Sequence, residues 1–323
     1  HGPQCPAVER ADHEVDLGQA VGEGVGVGHP NILTPQLSFR SQDDNLVVMQ
    51  TSHTDRIAVP NGHLAYLDTG TGRPVVLLHG GGLDHRMWDR QIDALRAGYR
   101  VIAVDARGHG DSSTPTEPFR HCDDLAVLLE RLGIAPATLV GVSMGATTAV
   151  DVALEYPDLV RAVVISGAGT SEPDFRDPWV LDIFATWQRT EQVGDAEGWI
   201  EAFLRMVPGP HRSPADVDPD VVAACRAMVE RTIATHVAPN PSGVRPTAPT
   251  GTWARLRGVT VPVLGIAGDL DADDHIRMVR RVVETVTDGR FATVRDTAHY
   301  PNMERPAEFD ALLLRFLRET ADS

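Results

Sequence analysis

Four short apolar runs, at residues 74–78, 101–104, 137–142 and 162–166, alternate with amphipathic stretches such as 87–97 and 122–132. An unbroken apolar run of this length predicts a strand buried on both faces, as in a parallel sheet. Parallel neighbours need a crossover, and a helix-period stretch between two runs supplies it. The alternation therefore predicts an α/β fold: an open, doubly wound, mostly parallel sheet. Ahead of it, residues 56–59 and 63–68 flank Asn61-Gly62, the pattern of a hairpin.

After Gly169 the alternation stops. Three helical stripes follow: Val180, Ile183, Phe184, Trp187; then Trp199, Phe203, Leu204, Val207; then Val221, Val222, Cys225, Met228, Val229. The breaker Pro208-Gly209-Pro210 interrupts them, and residues 238–252 read as a return linker. The sheet resumes at 261–267 and 290–294, and a last stripe (Phe309, Leu312, Leu313, Phe316, Leu317) docks a closing helix on the core. We therefore expect a core formed by residues 51–170 and 253–323, with an inserted helical cap over 171–252. Residues 1–50 are polar and glycine-rich over 18–28, with Phe39 their only aromatic. They are expected to be a disordered extension, with the functional chain starting near Met49.

Composition removes several function classes. The formal charge is -16 and no basic block occurs, so a nucleic-acid partner is not expected. The chain has no lysine, which excludes a Schiff-base lysine, a pyridoxal-phosphate anchor and the lysine of a phosphate-binding loop. Cys5, Cys122 and Cys225 are odd in number and widely spaced, arguing against a disulfide framework or a zinc site; Cys122 and Cys225 read as helix-buried thiols. No apolar run approaches the roughly 20 residues of a membrane span. The first residues show neither a basic nor an apolar leader pattern, so a cytoplasmic protein is expected.

The chemistry concentrates at Gly141-Val142-Ser143-Met144-Gly145, between the run at 137–142 and a helical stretch. Gly-x-Ser-x-Gly at a strand-to-helix turn lifts a serine hydroxyl above a sheet. A serine hydroxyl is a weak nucleophile at neutral pH and needs a base, which in turn needs an orienting acid. Two later segments supply candidates. Gly268-Asp269-Leu270-Asp271 ends the run at 261–267, and Ala298-His299-Tyr300 follows the run at 290–294. Spacing alone leaves Asp269, Asp271, Asp273 and Asp274 open as the acid. In His79-Gly80-Gly81-Gly82 the glycines let backbone N–H groups approach a developing oxyanion. Gly81 and Met144 are the expected donors, with Gly82 as substitute, while His79 is expected to brace the loop. Trp88, Trp187 and Tyr300 are candidate substrate contacts, Trp88 with a bracing role as well. Thirteen histidines form no His-Glu-x-x-His or close ligand cluster, so neither metal nor cofactor is expected.

Together with Asp105-Ala106-Arg107-Gly108-His109-Gly110-Asp111-Ser112, these motifs make residues 55–320 resemble the α/β-hydrolase fold enzymes. Asp84-His85-Arg86-Met87-Trp88 and the segment 298–306 resemble the small capped esterases and the 3-oxoadipate enol-lactonase-like group. The resemblance implies that Asp271 is the acid of a Ser143–Asp271–His299 triad, and that Asp105 and His109 are structural. The expected activity is metal-free serine hydrolysis of a small carboxylic ester or lactone through an acyl-enzyme. Carbon–carbon hydrolysis, perhydrolysis and acyl transfer use the same triad. The Gly80-Gly81-Gly82 loop resembles that of carbon–carbon hydrolases, whereas Tyr300 stands where those enzymes often carry tryptophan. A small-molecule receptor of this fold is a remoter alternative. Haloalkane dehalogenases and epoxide hydrolases need an aspartate at the elbow, so Ser143 argues against both.

Overall fold

The computed structural model describes residues 54–237 and 243–321. The expected N-terminal extension, the proposed start near Met49 and residues 238–242 of the expected linker lie outside the described residues.

Eight strands form one sheet: β1 (Asp55–Val59), β2 (Gly62–Thr69), β3 (Arg73–Leu78), β4 (Tyr99–Val104), β5 (Ala137–Val142), β6 (Val160–Ser166), β7 (Val263–Gly268) and β8 (Gly289–Val294). Their order is β1-β2-β4-β3-β5-β6-β7-β8. β1 and β2 make the expected hairpin, with Asn61 in its turn at φ +58°, a region asparagine tolerates. β2 runs antiparallel to β4, and every later pairing is parallel. β5 and β7 are buried at every position, which is why they read as unbroken apolar runs.

The helices are α1 (Asp89–Leu95), α2 (His121–Arg131), α3 (Met144–Glu155), α4 (Pro178–Val193), α5 (Ala196–Leu204), α6 (Pro219–Thr232), α7 (Thr252–Arg255), α8 (Asp273–Thr285), α9 (Pro301–Glu304) and α10 (Pro306–Glu319). Side chains alternate faces along a strand, and the two cores follow that period. Val75, Leu77, Val101, Ala103 and Val140 pack with Ile92 of α1 and Phe309 of α10. Val76, Leu78, Ile102, Val104 and Leu139 pack on the other face with Leu128 of α2, Ala149 of α3 and Val279 of α8. Both faces are covered, and the sheet is doubly wound.

Between β6 and β7 the chain forms α4, α5 and α6, as the three stripes predict. Asp177, Asp195 and Asp218 cap their N-termini by accepting from the N–H groups of Trp179, Gly198 and Asp220 at 2.8, 2.9 and 2.9 Å. Val180, Ile183, Phe203, Cys225, Met228 and Val229 turn inward and are buried. Cys122 and Cys225 are buried free thiols on α2 and α6. Among the described residues no helix is long and apolar enough to cross a membrane.

Candidate active site

Ser143, Asp271 and His299 all follow the C-terminal ends of strands, β5, β7 and β8 respectively. That is the edge where open α/β sheets hold their ligands. Ser143 itself has φ +53° and ψ -116°, a conformation that costs a non-glycine residue about 1–3 kcal/mol. Its surroundings impose it. The Ser143 N–H donates to the Ser166 carbonyl at 2.8 Å, and its carbonyl accepts from the Thr147 N–H at 3.1 Å. The flanking glycines are required by close approach: a Cβ on Gly141 would stand 2.2 Å from the Gly145 carbonyl carbon, and one on Gly145 would stand 2.0 Å from the Leu78 oxygen.

Of the four aspartates left open by spacing, Asp271 meets His299, with its Oδ2 accepting from Nδ1 at 3.0 Å. Asp271 and His299 are 3% and 1% exposed, so this contact is sealed from bulk water. Burial opposes the charge on Asp271, but the two histidines around it hold the carboxyl well below the usual carboxylate range. Burial lowers the pKa of His299 from the ordinary 6.5, with Asp271 opposing and His275 adding to that fall. The Nε2 of His299 is buried and has no hydrogen-bond partner among the described residues. His299 and Ser143 both line one cavity.

Gly81 and Met144 stand side by side: a Cβ on Gly81 would lie 3.8 Å from the Met144 Cβ. Neither backbone N–H has an acceptor among the described residues. Gly82 differs from its expected role, because its N–H donates to His109 Nε2 at 3.1 Å and is not free for an oxyanion. His109 therefore braces the glycine loop. So does His79, whose Nε2 accepts from the Ala106 N–H at 2.9 Å while Nδ1 bonds the Gly80 carbonyl at 2.8 Å.

The cavity above Ser143 has a volume of about 280 Å³. Trp187 lines it, stacked on Trp199 with ring centroids 5.2 Å apart and planes 18° from parallel. Phe203 stacks on Trp199 and leads to Tyr300, which meets His299 edge-on at 5.1 Å. Trp88 is not part of this wall. The 3-10 turn His85–Trp88 buries it completely, with its ring 6.2 Å from that of Phe309 on α10, so its expected substrate contact is corrected to core packing. His275, to which sequence reasoning gave no role, lines the cavity.

Among the described residues, two clusters have the donor types of a metal site: Asp271 with His275 and His299, and Asp84 with His85 and Asp105. Both are already bonded internally. His85 Nδ1 meets Asp105 Oδ1 at 2.8 Å, and Asp84 holds Arg86 through both of its oxygens. Burial works against the charge of Asp105, yet His85 holds its pKa at about 2.

The family model for the alpha/beta hydrolase fold matches residues 73–306. This chain belongs to that family. The α/β-hydrolase is 30% identical over 264 residues to the 2-hydroxy-6-oxononadienedioate/2-hydroxy-6-oxononatrienedioate hydrolase of Paraburkholderia phymatum, covering 78% of this chain and 90% of that one. It is 27% identical over 269 residues to 3-oxoadipate enol-lactonase 2 of Acinetobacter baylyi, covering 73% and 86%. A thermophilic esterase from Thermogutta terrifontis superposes with a TM-score of 0.67 at 25% identity, over 83% of this chain and 99% of that one. Against the bifunctional epoxide hydrolase 2 of Sus scrofa, 25% identical over 329 residues, the α/β-hydrolase spans 58% of the relative's length.

Proposed function

We propose that this α/β-hydrolase is a serine hydrolase that cleaves a small carboxylic ester or lactone through an acyl-enzyme. One observation carries the reading. His299 is tied through Nδ1 to Asp271, has a buried Nε2 without a partner among the described residues, and lines the same cavity as Ser143. An imidazole with one nitrogen anchored to a carboxylate and the other free has the tautomer of a general base.

His299 Nε2 takes the Ser143 proton as Oγ attacks the carbonyl carbon. Asp271 holds the imidazole and stabilises its cation. The Gly81 and Met144 N–H groups receive the oxyanion, and one such donor is worth about 3 kcal/mol in the transition state. The tetrahedral intermediate collapses, the protonated His299 gives its proton to the leaving oxygen, and water activated by the same imidazole releases the acid. A lactone opens by the same steps, its leaving alcohol remaining attached to the acyl group. The small aromatic cavity fits an apolar or aromatic acyl or alcohol group.

Carbon–carbon cleavage is the second reading, favoured by the Gly80-Gly81-Gly82 loop and by the 30% identity to the hydrolase of Paraburkholderia phymatum. A fluorophosphonate probe should label Ser143. Multiple turnover on p-nitrophenyl esters or lactones, exceeding that on a vinylogous diketone, supports the first reading. Turnover that survives Ser143→Ala would sink both.

A further inference from the structure

Both oxygens of Asp271 are engaged. Oδ2 accepts from His299, while Oδ1 accepts from His275 Nδ1 at 2.8 Å and from the Ala272 N–H at 2.8 Å. His275 lies four residues beyond Asp271, in the first turn of α8, and the backbone there returns its imidazole to the acid. It is 3% exposed, packs edge-on to Phe175 at 5.9 Å, and its ring centroid stands 4.3 Å from that of His299. One carboxylate thus serves two imidazoles, both on the wall of the cavity that Ser143 lines.

A carboxylate shared in this way has less negative charge to lend either ring. It is also fixed against rotation, because its second oxygen is clamped by a side chain as well as by a backbone N–H. We propose that His275 is a positioning residue of the site: it divides the Asp271 carboxylate with His299 and sets how firmly that carboxylate holds the base. The proposal rests on the reading of Ser143, His299 and Asp271 as nucleophile, base and acid.

Two carboxylates and a phenol near the pair are already bound or neutral. Glu304 is paired with Arg212 at 2.8 Å, and Asp274 with Arg277 at 2.6 Å. Asp274 also accepts from the N–H groups of Arg176 and Asp177. Burial keeps the Tyr300 phenol neutral by raising its pKa. Among the described residues, Asp271 raises and His275 lowers the pKa of His299, on top of the fall caused by burial.

The test is the rate of fluorophosphonate labelling of Ser143, and kcat/KM for p-nitrophenyl acetate, measured against pH on the full chain. Wild type is compared with His275→Ala, His275→Asn and the control Ser143→Ala. In His275→Ala the freed carboxylate should favour the His299 cation, moving the acidic limb up by about 0.5–1 pH unit. The plateau rate should fall about ten- to a hundredfold as the acid loosens. His275→Asn keeps an N–H for Oδ1 and should recover most of the plateau. Should His275→Ala fail to fold, His275→Leu replaces it, retaining apolar bulk beside Phe175. A limb unmoved in the Ala or Leu variant, or an Asn variant as slow as that variant, would overturn the role of His275. Wild type that Ser143-directed probes do not label would instead overturn the hydrolase reading beneath it.

Discussion

Gly82 donates its backbone N–H to His109 Nε2, which ties the glycine loop after β3 to the loop after β4. His109 must be neutral to accept, and burial drives its pKa well below the ordinary 6.5. Replacing it with Leu removes the acceptor. The stranded N–H should cost about 1–3 kcal/mol of stability. A loosened loop should also lower kcat about tenfold with little change in KM, because the loop's proposed donor acts on the oxyanion. Denaturant unfolding and steady-state kinetics together check this.

Ser143→Gly should fold more stably than wild type. The residue sits at φ +53°, where glycine is unstrained, and relief of about 1–3 kcal/mol exceeds the roughly 0.5–1 kcal/mol entropic cost of glycine. Ser143→Ala keeps the strain and should match wild type in Tm. Both should lose turnover and fluorophosphonate labelling.

The pH profile should have its acidic limb below pH 6.5. The base acts when neutral, and the folded pKa of His299 lies below the ordinary value, so kcat/KM should hold at pH 6.5 and fall lower down. Stability follows the same sign. The unfolded chain takes up this proton first, so the His299 contribution is intact above pH 6.5 and is lost as pH falls through the folded pKa. A limb centred above 6.5 would contradict burial as the dominant influence.

Trp187→Ala should alter substrate choice more than rate. Its stacking on Trp199 forms a flat wall of the cavity, and an aromatic contact of this kind is worth about 0.5–1.5 kcal/mol. KM for a phenyl ester should rise roughly three- to tenfold, while values for an acetate of a small alcohol stay near wild type. Equal changes for both substrates would argue that Trp187 only fills space.

Much of this architecture is readable from residue pattern. The strands buried on both faces announce themselves as apolar runs, and Asn61-Gly62 marks the hairpin because few other pairs accept that turn. Strand order is different: β4 pairs with β2 and β3, and no local pattern encodes which neighbours a central strand will choose. The start of α8 is hard to read from pattern because its first turn is Asp273-Asp274-His275, although Met278, Val279, Val282 and Val283 then repeat on one face. The partnership of His275 with Asp271 had a signal, the four-residue spacing across a helix start. The bond from Gly82 to His109 had none, since it joins two loops that only folding brings together. Trp88 misleads for a related reason: a single 3-10 turn decides whether an indole faces the cavity or the core.

β7 pairs directly with β6, Val163 opposite Val263, although the whole of α4 to α6 lies between them in the chain. The excursion leaves and returns through adjacent strands, roughly 4.8 Å apart. Its length can therefore change with little pull on the strands that lead to Ser143, Asp271 and His299, provided the contacts of Phe175, Arg176 and Asp177 with α8 are kept. A molecule built this way can be refitted to new substrates by exchanging one continuous segment, while the parts proposed to break the bond stay where they are.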